Sequence, residues 1–432
     1  RPESCERQGV CGSVAILYGT TLARCEIALD VLLTAGAALL SRRGIQRSCR
    51  AIYPVVGKTV RIVYFSKSSE DGPSSRYRIY QFLPYLEKEG IQCSIHPLMG
   101  STYFKLLEVK NAGLRTLGKT VYVGAKFLKR MWDLVRIGSP DVVVVEGQLF
   151  PYCPPWVERA LVLLGKTLVL EFDDAIYLTR FHWRKMPALL KMSAATIVGN
   201  ATLSEYARHT ASAVTVIPTV VDTERFIPRT QIRGSATEGS DGHITIVWIG
   251  LAYNFSYLEI LAPALRLVQK EMRARFRVVS SRPPVLAGVE VEFRLWDLHS
   301  EVRDLQECQI GVMPLPDSEW TRGKCGLKLL QYMAVGIPAV ASPVGVNQEI
   351  IKSGENGFLA ATSDEWCTCL FSLCRDEGLR HRMGRAARRT VEERYSLHVW
   401  GPRLAREYQL IVNQSRLMKA GDSVAQTFNG HS

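Results

Sequence analysis

The sequence predicts two doubly wound α/β domains facing each other across a cleft. Three observations lead there. At 432 residues the chain is too long for one ordinary core at about 150 residues per domain. From residue 58 onward, short and nearly continuous apolar runs alternate with amphipathic stretches, the pattern of strands buried on both faces of a parallel sheet. This alternation runs twice, interrupted by a segment rich in Gly, Ser and polar residues at 229–242.

In the first half, β-branched runs at 60–65, 91–96, 142–145, 167–172, 195–198 and 214–217 are expected to be strands. The stretch 217–228 closes that domain, which spans 58–228 and is followed by a linker at 229–242. The second half repeats the pattern, with strands expected at 243–249, 276–280, 289–294, 310–313 and 338–342. Helices are expected there at 257–272, 325–335 and 364–374, in a domain spanning 243–398, with a C-terminal helix and tail at 399–432. Residues 1–57 stand apart as an extension. Their apolar stretch 14–40 is interrupted by Arg24, Glu26 and Asp30, which argues against a spanning helix, and no basic leader with a clean apolar run is found.

The composition, 47% hydrophobic and 22% charged, suits large cores and is unlike that of a disordered chain. Lysine and arginine outnumber aspartate and glutamate 54 to 41, a formal net charge of +13, so anionic partners are expected: nucleotides, nucleic acid or acidic lipid. No zinc-finger spacing, recognition-helix pattern or RNA-binding aromatic run supports nucleic acid. The 11 cysteines are scattered without paired CxxC motifs, so free thiols in a reducing compartment are expected and no metal site is read from them. Cys367 and Cys374 lie two helical turns apart and read as one packed helix side.

Ligands of doubly wound sheets sit outside the carboxyl ends of the strands, so the site is expected between the domains. The most informative segment is 320–338. On a helix starting near Cys325, Lys324, Lys328 and Gln331 fall on one face and Leu327, Leu330 and Ala334 on another. With Arg322 nearby, that helix start reads either as a diphosphate site or as a solvated basic end. Asp173 and Asp174 close a strand at 167–172 and should emerge at the cleft, to orient or deprotonate a hydroxyl or, for one of them, to cap the next helix. His182 is a second candidate for that chemistry. The loop 66–78 offers Arg76 and Arg78, read either as acceptor-side cations or as solvated surface residues. Between 104 and 136 a basic amphipathic pattern places Leu114, Leu117, Val121, Leu128 and Trp132 at helical spacing, with Lys105, Lys110, Arg115, Lys119, Lys126, Lys129, Arg130 and Arg136 against only Glu108 and Asp133. Such a helix can pack its stripe on the sheet while its cations face an anionic bilayer.

The run Gln331-Tyr332-Met333-Ala334-Val335-Gly336-Ile337-Pro338 through Gly345, with Asn347, Glu349, Gly354 and Asn356-Gly357-Phe358, resembles the donor-site stretch of the group 1, family-four glycosyltransferases of GT-B fold. Gly199-Asn200, the stretch 217–228 and the tail from Met383-Gly384 to Tyr395-Ser396 continue the likeness, which covers about 58–411. It implies two Rossmann-like domains, transfer of a sugar from a nucleotide-sugar donor to a polysaccharide or glycolipid acceptor, retention at the anomeric carbon and a cytoplasmic setting, at the inner face of the membrane if the basic helix docks there. The donor is a substrate, and no cofactor or metal is expected.

In that family two glutamates seven residues apart usually hold the donor, the second at the ribose. This sequence departs from the pattern: the alignment places Gln331 at the second glutamate and Gly323 at the first. Gln331 can still hydrogen-bond a diol. Asp317 or Glu319 is then expected to contact the sugar. Gly250, in the turn that ends at Asn254, resembles the point where the family's chain passes under the phosphates, and Gly345 closes the donor stretch. The basic residues the family often has after that turn are missing, which leaves the diphosphate to Arg322, Lys324 and Lys328. A catalytically silent sugar-nucleotide-binding scaffold is the other reading that the lost glutamates allow.

Overall fold

The computed structural model describes residues 59–228 and 243–429, except 108, 110, 152 and 181–183. The extension at 1–57, the linker at 229–242 and His182 therefore lie outside the described residues.

In the first lobe the chain runs through β1 (Val60–Phe65), α1 (Pro73–Arg78), α2 (Leu83–Lys88), β2 (Ile91–Ile95), α3 (Ser101–Leu107), α4 (Ala112–Val135) and β3 (Val142–Glu146). It continues through α5 (Trp156–Leu163), β4 (Leu168–Phe172), α6 (Lys185–Met192), β5 (Ala195–Val198), α7 (Ala201–Arg208) and β6 (Val214–Val216). The second lobe begins with β7 (Ile244–Ile249), α8 (Ala262–Glu271), β8 (Ala274–Ser280), β9 (Val291–Leu295), α9 (Glu301–Gln306) and β10 (Ile310–Met313). There follow α10 (Glu319–Arg322), α11 (Leu327–Ala334), β11 (Ala339–Ala341), α12 (Asn347–Ile350), β12 (Gly357–Leu359), α13 (Ser363–Arg375), α14 (Glu377–Arg394) and α15 (Leu397–Asn429).

Among the described residues these strands form two six-stranded sheets, ordered β2-β1-β3-β4-β5-β6 and β12-β11-β10-β7-β8-β9. Neighbouring strands are parallel throughout, β1 with β3 in the first sheet and β7 with β10 in the second. The strand order therefore reverses between β1 and β3, and again between β7 and β10, which places a crevice at the carboxyl end of each pair. Strand β3 shows why the sequence pattern works: Val142, Val143, Val144 and Val145 are all fully buried, with side chains for both faces of the sheet.

The chain crosses between lobes twice, and the two crossings pair. Val221 donates its N–H to the Tyr395 carbonyl at 3.0 Å, and Leu397 donates to the Val221 carbonyl at 3.0 Å. Arg388 pins this junction by donating to the carbonyls of Thr223, Ala334 and Phe226. Past it, α15 returns to the first sheet. Leu397, Leu404, Tyr408, Ile411 and Val412 share a buried cluster with Ile62, Tyr64, Val142 and Val169.

One element is turned the opposite way to its expectation. The apolar stripe of α4 does not pack on the sheet: Leu114, Leu117, Val121, Leu128 and Trp132 are all exposed. The buried residues of that helix are Arg130 and Leu134. Arg130 is a lining cation only in the sequence. It donates to the carbonyls of Ser66, His96 and Leu149, which ties α4 to the loops after β1, β2 and β3. Burial lowers its guanidinium to about 10.

Candidate active site in the interlobe cleft

On the first-lobe side, the cleft wall is built at the switch point. Glu146 ends β3 and Glu171 lies beside it in register on β4. Both are buried. Glu146 accepts from the Lys67 N–H at 2.8 Å and from the Ser75 hydroxyl at 2.6 Å, so it holds the loop after β1 and the first turn of α1. Glu171 receives Nε of Arg78 at 2.6 Å, and Nη1 of Arg78 donates to the Ile217 carbonyl at 2.6 Å. Burial pushes the Glu171 carboxyl up to about 8, opposed by the Arg78 charge.

This overturns the solvated reading of the arginine loop, since Arg76 and Arg78 are both buried. Arg78 is neither a solvated residue nor an open anion site, because its guanidinium is spent inside the lobe. Arg76 is also buried: it donates to the Glu70 carbonyl at 3.1 Å, lies 3.8 Å from the Glu301 carboxylate of the second lobe and stacks over Trp296. The expected loop is a helix start instead, with Pro73 in its first turn.

Beyond β4 the two adjacent aspartates take different partners. Asp173 accepts from the Ser74 hydroxyl at 2.7 Å, and its carbonyl accepts from the Cys325 thiol at 3.1 Å. Asp174 faces the second lobe, 3.7 Å from Nζ of Lys324. Burial raises the Asp174 carboxyl above the usual range and the Asp173 charge adds to this, while Lys324, Lys67 and Lys328 oppose it. Neither side chain caps a helix here.

The second lobe contributes the cations, on a backbone different from the expected one. The helix expected from near Cys325 begins only at Leu327, as α11, because Gly326 takes a left-handed φ of 71° just before it; the short α10 is a separate helix upstream. Lys324 therefore sits in the turn and only Lys328 and Gln331 are helical. The turn is held from the first lobe: the Asn200 side-chain amide donates to the Gly323 carbonyl at 2.8 Å and the Lys324 carbonyl at 3.2 Å. Its carboxamide oxygen meanwhile caps α7 through the Leu203 N–H at 2.9 Å.

Lys328 passes beneath Gly250. A Cβ at Gly250 would lie 2.7 Å from the Lys328 side chain and 2.8 Å from Trp248, so only glycine fits there. The ammonium lies 5.5 Å from the Trp248 ring, and burial with the nearby Lys324 charge lowers it to about 8, against the pull of Asp174. Asn254 is buried close by in the chain after Gly250, and its carboxamide oxygen has no protein partner.

Gln331 is placed differently from a ribose ligand on an open face. It is buried at the lobe junction, where its amide donates to the Tyr77 hydroxyl at 2.9 Å. Tyr77 in turn donates to Glu301 at 3.4 Å, and Arg225 completes the cluster with an ion pair to Glu301 at 2.7 Å. Gly323 has a physical reason to be glycine: a Cβ there would come within 2.7 Å of the Ala175 Cβ of the first lobe. Arg322 is exposed and doubly bonded to Asp317 at 2.7 and 2.9 Å. Glu319 is exposed in the first turn of α10, where Ser318 caps the helix. Gly345, at a φ of 53°, packs its backbone against Arg322, whose carbonyl oxygen a Cβ would approach to 2.8 Å.

Asp173, Asp174, Lys324, Lys328, Gly250 and Asn254 thus converge on one cleft. Arg78 and Gln331 are bonded inside the protein, Glu319 and Arg322 are exposed, and Gly345 packs against the Arg322 backbone. Sequence reasoning missed Glu146, Tyr77 and Glu301. For Glu146 a signal existed, since a carboxylate directly closing a four-valine strand is a buried charge. Tyr77 and Glu301 had none, because they meet only across the lobes.

Comparison with known proteins agrees with this architecture. Residues 243–376 match the model of a family described as glycosyl transferases group 1. N-acetyl-alpha-D-glucosaminyl L-malate synthase of Bacillus anthracis is 36% identical over 72 residues, which is 16% of this chain and 19% of that one. The match therefore spans about a fifth of that relative's length. The solved sucrose-phosphate synthase of Thermosynechococcus elongatus superposes with a TM-score of 0.61 at 13% identity, covering 82% of this chain and 100% of the other. A glycosyltransferase of Rickettsia africae gives 0.57 at 12%, covering 82% and 99%. HepE of Anabaena, solved in complex with UDP and glucose, gives 0.54 at 15%, covering 81% and 99%.

Proposed function

We propose that this chain, which has the GT-B fold and whose residues 243–376 belong to the group 1 glycosyltransferases, moves a sugar from a nucleotide-sugar donor to a hydroxyl of a saccharide or glycolipid acceptor. The observation that carries the reading is the meeting of Lys324, Lys328 and the Gly250 turn with Asp174 at the carboxyl ends of two parallel sheets. Two lysines beside a close backbone approach suit a diphosphate leaving group, whose developing charge they neutralise in a partly buried site.

In the transfer, the bond from the anomeric carbon to the diphosphate oxygen breaks and a bond to the acceptor oxygen forms. The acceptor proton goes to Asp173, Asp174 or the departing diphosphate. We read the reaction as metal-independent, because Lys324 and Lys328 supply the positive charge, and as retaining, in keeping with the family resemblance. The aspartates lie on the acceptor side and the lysines on the donor side, each lobe bringing one substrate.

A second reading has one observation in its favour. Ala175 fills the side-chain space at Gly323, so no carboxylate stands where the family's first glutamate would meet the sugar. A donor-binding scaffold needs no such group. Turnover of a panel of nucleotide sugars, read as released nucleoside diphosphate with and without saccharide acceptors, separates the two: the transferase reading requires acceptor-dependent release. The Lys324→Ala/Lys328→Ala double variant should lose it. Nucleotide binding without release from any donor supports the scaffold, and unchanged release in the folded double variant removes the lysines from the site.

A further inference from the structure

We infer that α4 is a docking surface for an anionic lipid bilayer, seated by an apolar stripe that the fold turns outward. The inference stands apart from the sugar-transfer reading, since neither donor nor acceptor enters it. An amphipathic helix on a soluble lobe ordinarily buries its apolar side. Here the reverse holds: Leu114 is 64% exposed, Leu128 75% and Val135 76%, while the fully buried residue of the helix is the cation Arg130. Leu114, Leu117, Val121, Leu128, Trp132 and Val135 follow one another at helical spacing and so lie on one side.

The border of the stripe says what covers it. Arg115, Lys119, Lys126 and Lys129 occupy the same helix outside the stripe, with Arg136 at its C-cap, and Asp133 is its one acid. Asp133 is already matched by Lys129 at 2.6 Å. The helix therefore presents hydrocarbon beside uncompensated positive charge, the chemistry of a membrane-surface helix whose apolar side enters the acyl boundary while its cations meet anionic head groups. Arg136 lies 4.2 Å from the Trp132 ring, which puts an amphipathic aromatic next to a cation, as at a lipid interface. A protein partner would need acidic complementarity and a fixed shape, whereas a bilayer asks only for the stripe and the charge. Among the described residues no helix is long and apolar enough to cross a membrane, so the contact is one of surface seating.

The test is co-sedimentation of the full chain with vesicles of phosphatidylcholine alone and with phosphatidylglycerol added. Binding is expected to the anionic vesicles and to weaken with salt. Leu117→Asn/Val121→Asn/Leu128→Asn should lower the partition coefficient at least about tenfold, and Lys119→Glu/Lys126→Glu/Arg136→Glu should abolish the preference for anionic lipid. Leu117, Val121, Leu128 and Arg136 are exposed and Lys119 and Lys126 half-buried, and circular dichroism verifies that the variants fold. Brominated acyl chains should quench Trp132, shown by comparing Trp132→Phe. Partition that stays at the level of the unsubstituted chain in both variants overturns the inference. So does dimerisation that hides the stripe, seen by analytical ultracentrifugation together with no binding to vesicles.

Discussion

Lys328 shows what a half-buried cation does at this site. Its ammonium is held down to about 8 from an ordinary 10.5, chiefly by burial. Between those values the folded chain carries fewer protons than the unfolded one, so the cost of charged Lys328 is fully present below about 8 and fades as pH rises toward 10.5. A bound diphosphate reverses the preference by restoring a counter-charge. Above about 8 the free protein must then take up a proton to bind, and affinity for a nucleoside diphosphate should fall by up to about tenfold per pH unit. Calorimetry across pH 7 to 9.5 reads this slope; Lys328→Ala should abolish it and weaken binding by about 1–3 kcal/mol at neutral pH. A slope that survives in the variant assigns the titration elsewhere. The aspartates separate by kinetics: if Asp174 serves the acceptor, Asp174→Asn should lower turnover about 100-fold with little change in donor affinity. Asp173→Asn, which weakens one bond to Ser74, should cost far less. Near-normal turnover in both removes the pair from the reaction. Asp173 and Asp174 were legible because they directly follow an apolar strand, and Lys328 because it falls on the polar side of an amphipathic helix. Arg76 and Arg78 were not, since the carboxylate that claims Arg78 stands 93 residues away in sequence.

At the scale of elements, periodicity located the strands because a doubly buried parallel strand has no polar face to blur its ends. It failed where tertiary contacts overrode local pattern. The expected helix at 325–335 starts only at Leu327 because Gly326 is left-handed, with Ile350 and Val346 packed where a side chain would sit, and because Asn200 claims the preceding carbonyls. The stripe of α4 was visible as a stripe, but periodicity states only that two sides differ and never which one faces the core. Gly323 was read as the loss of a functional glutamate, whereas the structure makes it a contact between lobes. Gly323→Ala should therefore drive its Cβ against Ala175 and cost about 1–3 kcal/mol, the usual price of overpacking. Denaturant midpoints read the effect. The companion Ala175→Gly substitution, which vacates the opposing Cβ, should recover part of the loss in the double variant, and strict additivity of the two changes would disprove the contact.

The whole molecule is tied together by its C-terminus. The paired crossings at Val221 and Tyr395–Leu397 form a narrow junction, and around it the lobes touch through Asn200 and the Tyr77, Gln331, Glu301 cluster. Domain reading from sequence set 399–432 apart as helix and tail because it follows the second alternation without adding a strand. Its packing shows the opposite allegiance: Tyr408 meets Tyr64 edge-on at 6.1 Å, and Leu404, Ile411 and Val412 fill the same first-lobe cluster. The first lobe therefore completes its core with residues synthesised after the whole of the second. Removing the chain after residue 395 strips Ala405 and five large buried side chains from that cluster: Leu397, Leu404, Tyr408, Ile411 and Val412. At about 1.5–3 kcal/mol each, the loss is roughly 8–15 kcal/mol, as large as the entire stability of an ordinary domain. The truncated chain should keep the second lobe folded and lose the first. Hydrogen exchange resolves this directly, because amides of β1, β3 and β4 should exchange freely while those of β7, β8 and β10 stay protected. Equal protection in both lobes would show that the first core closes without α15, and the structural role assigned to that helix would fall with it.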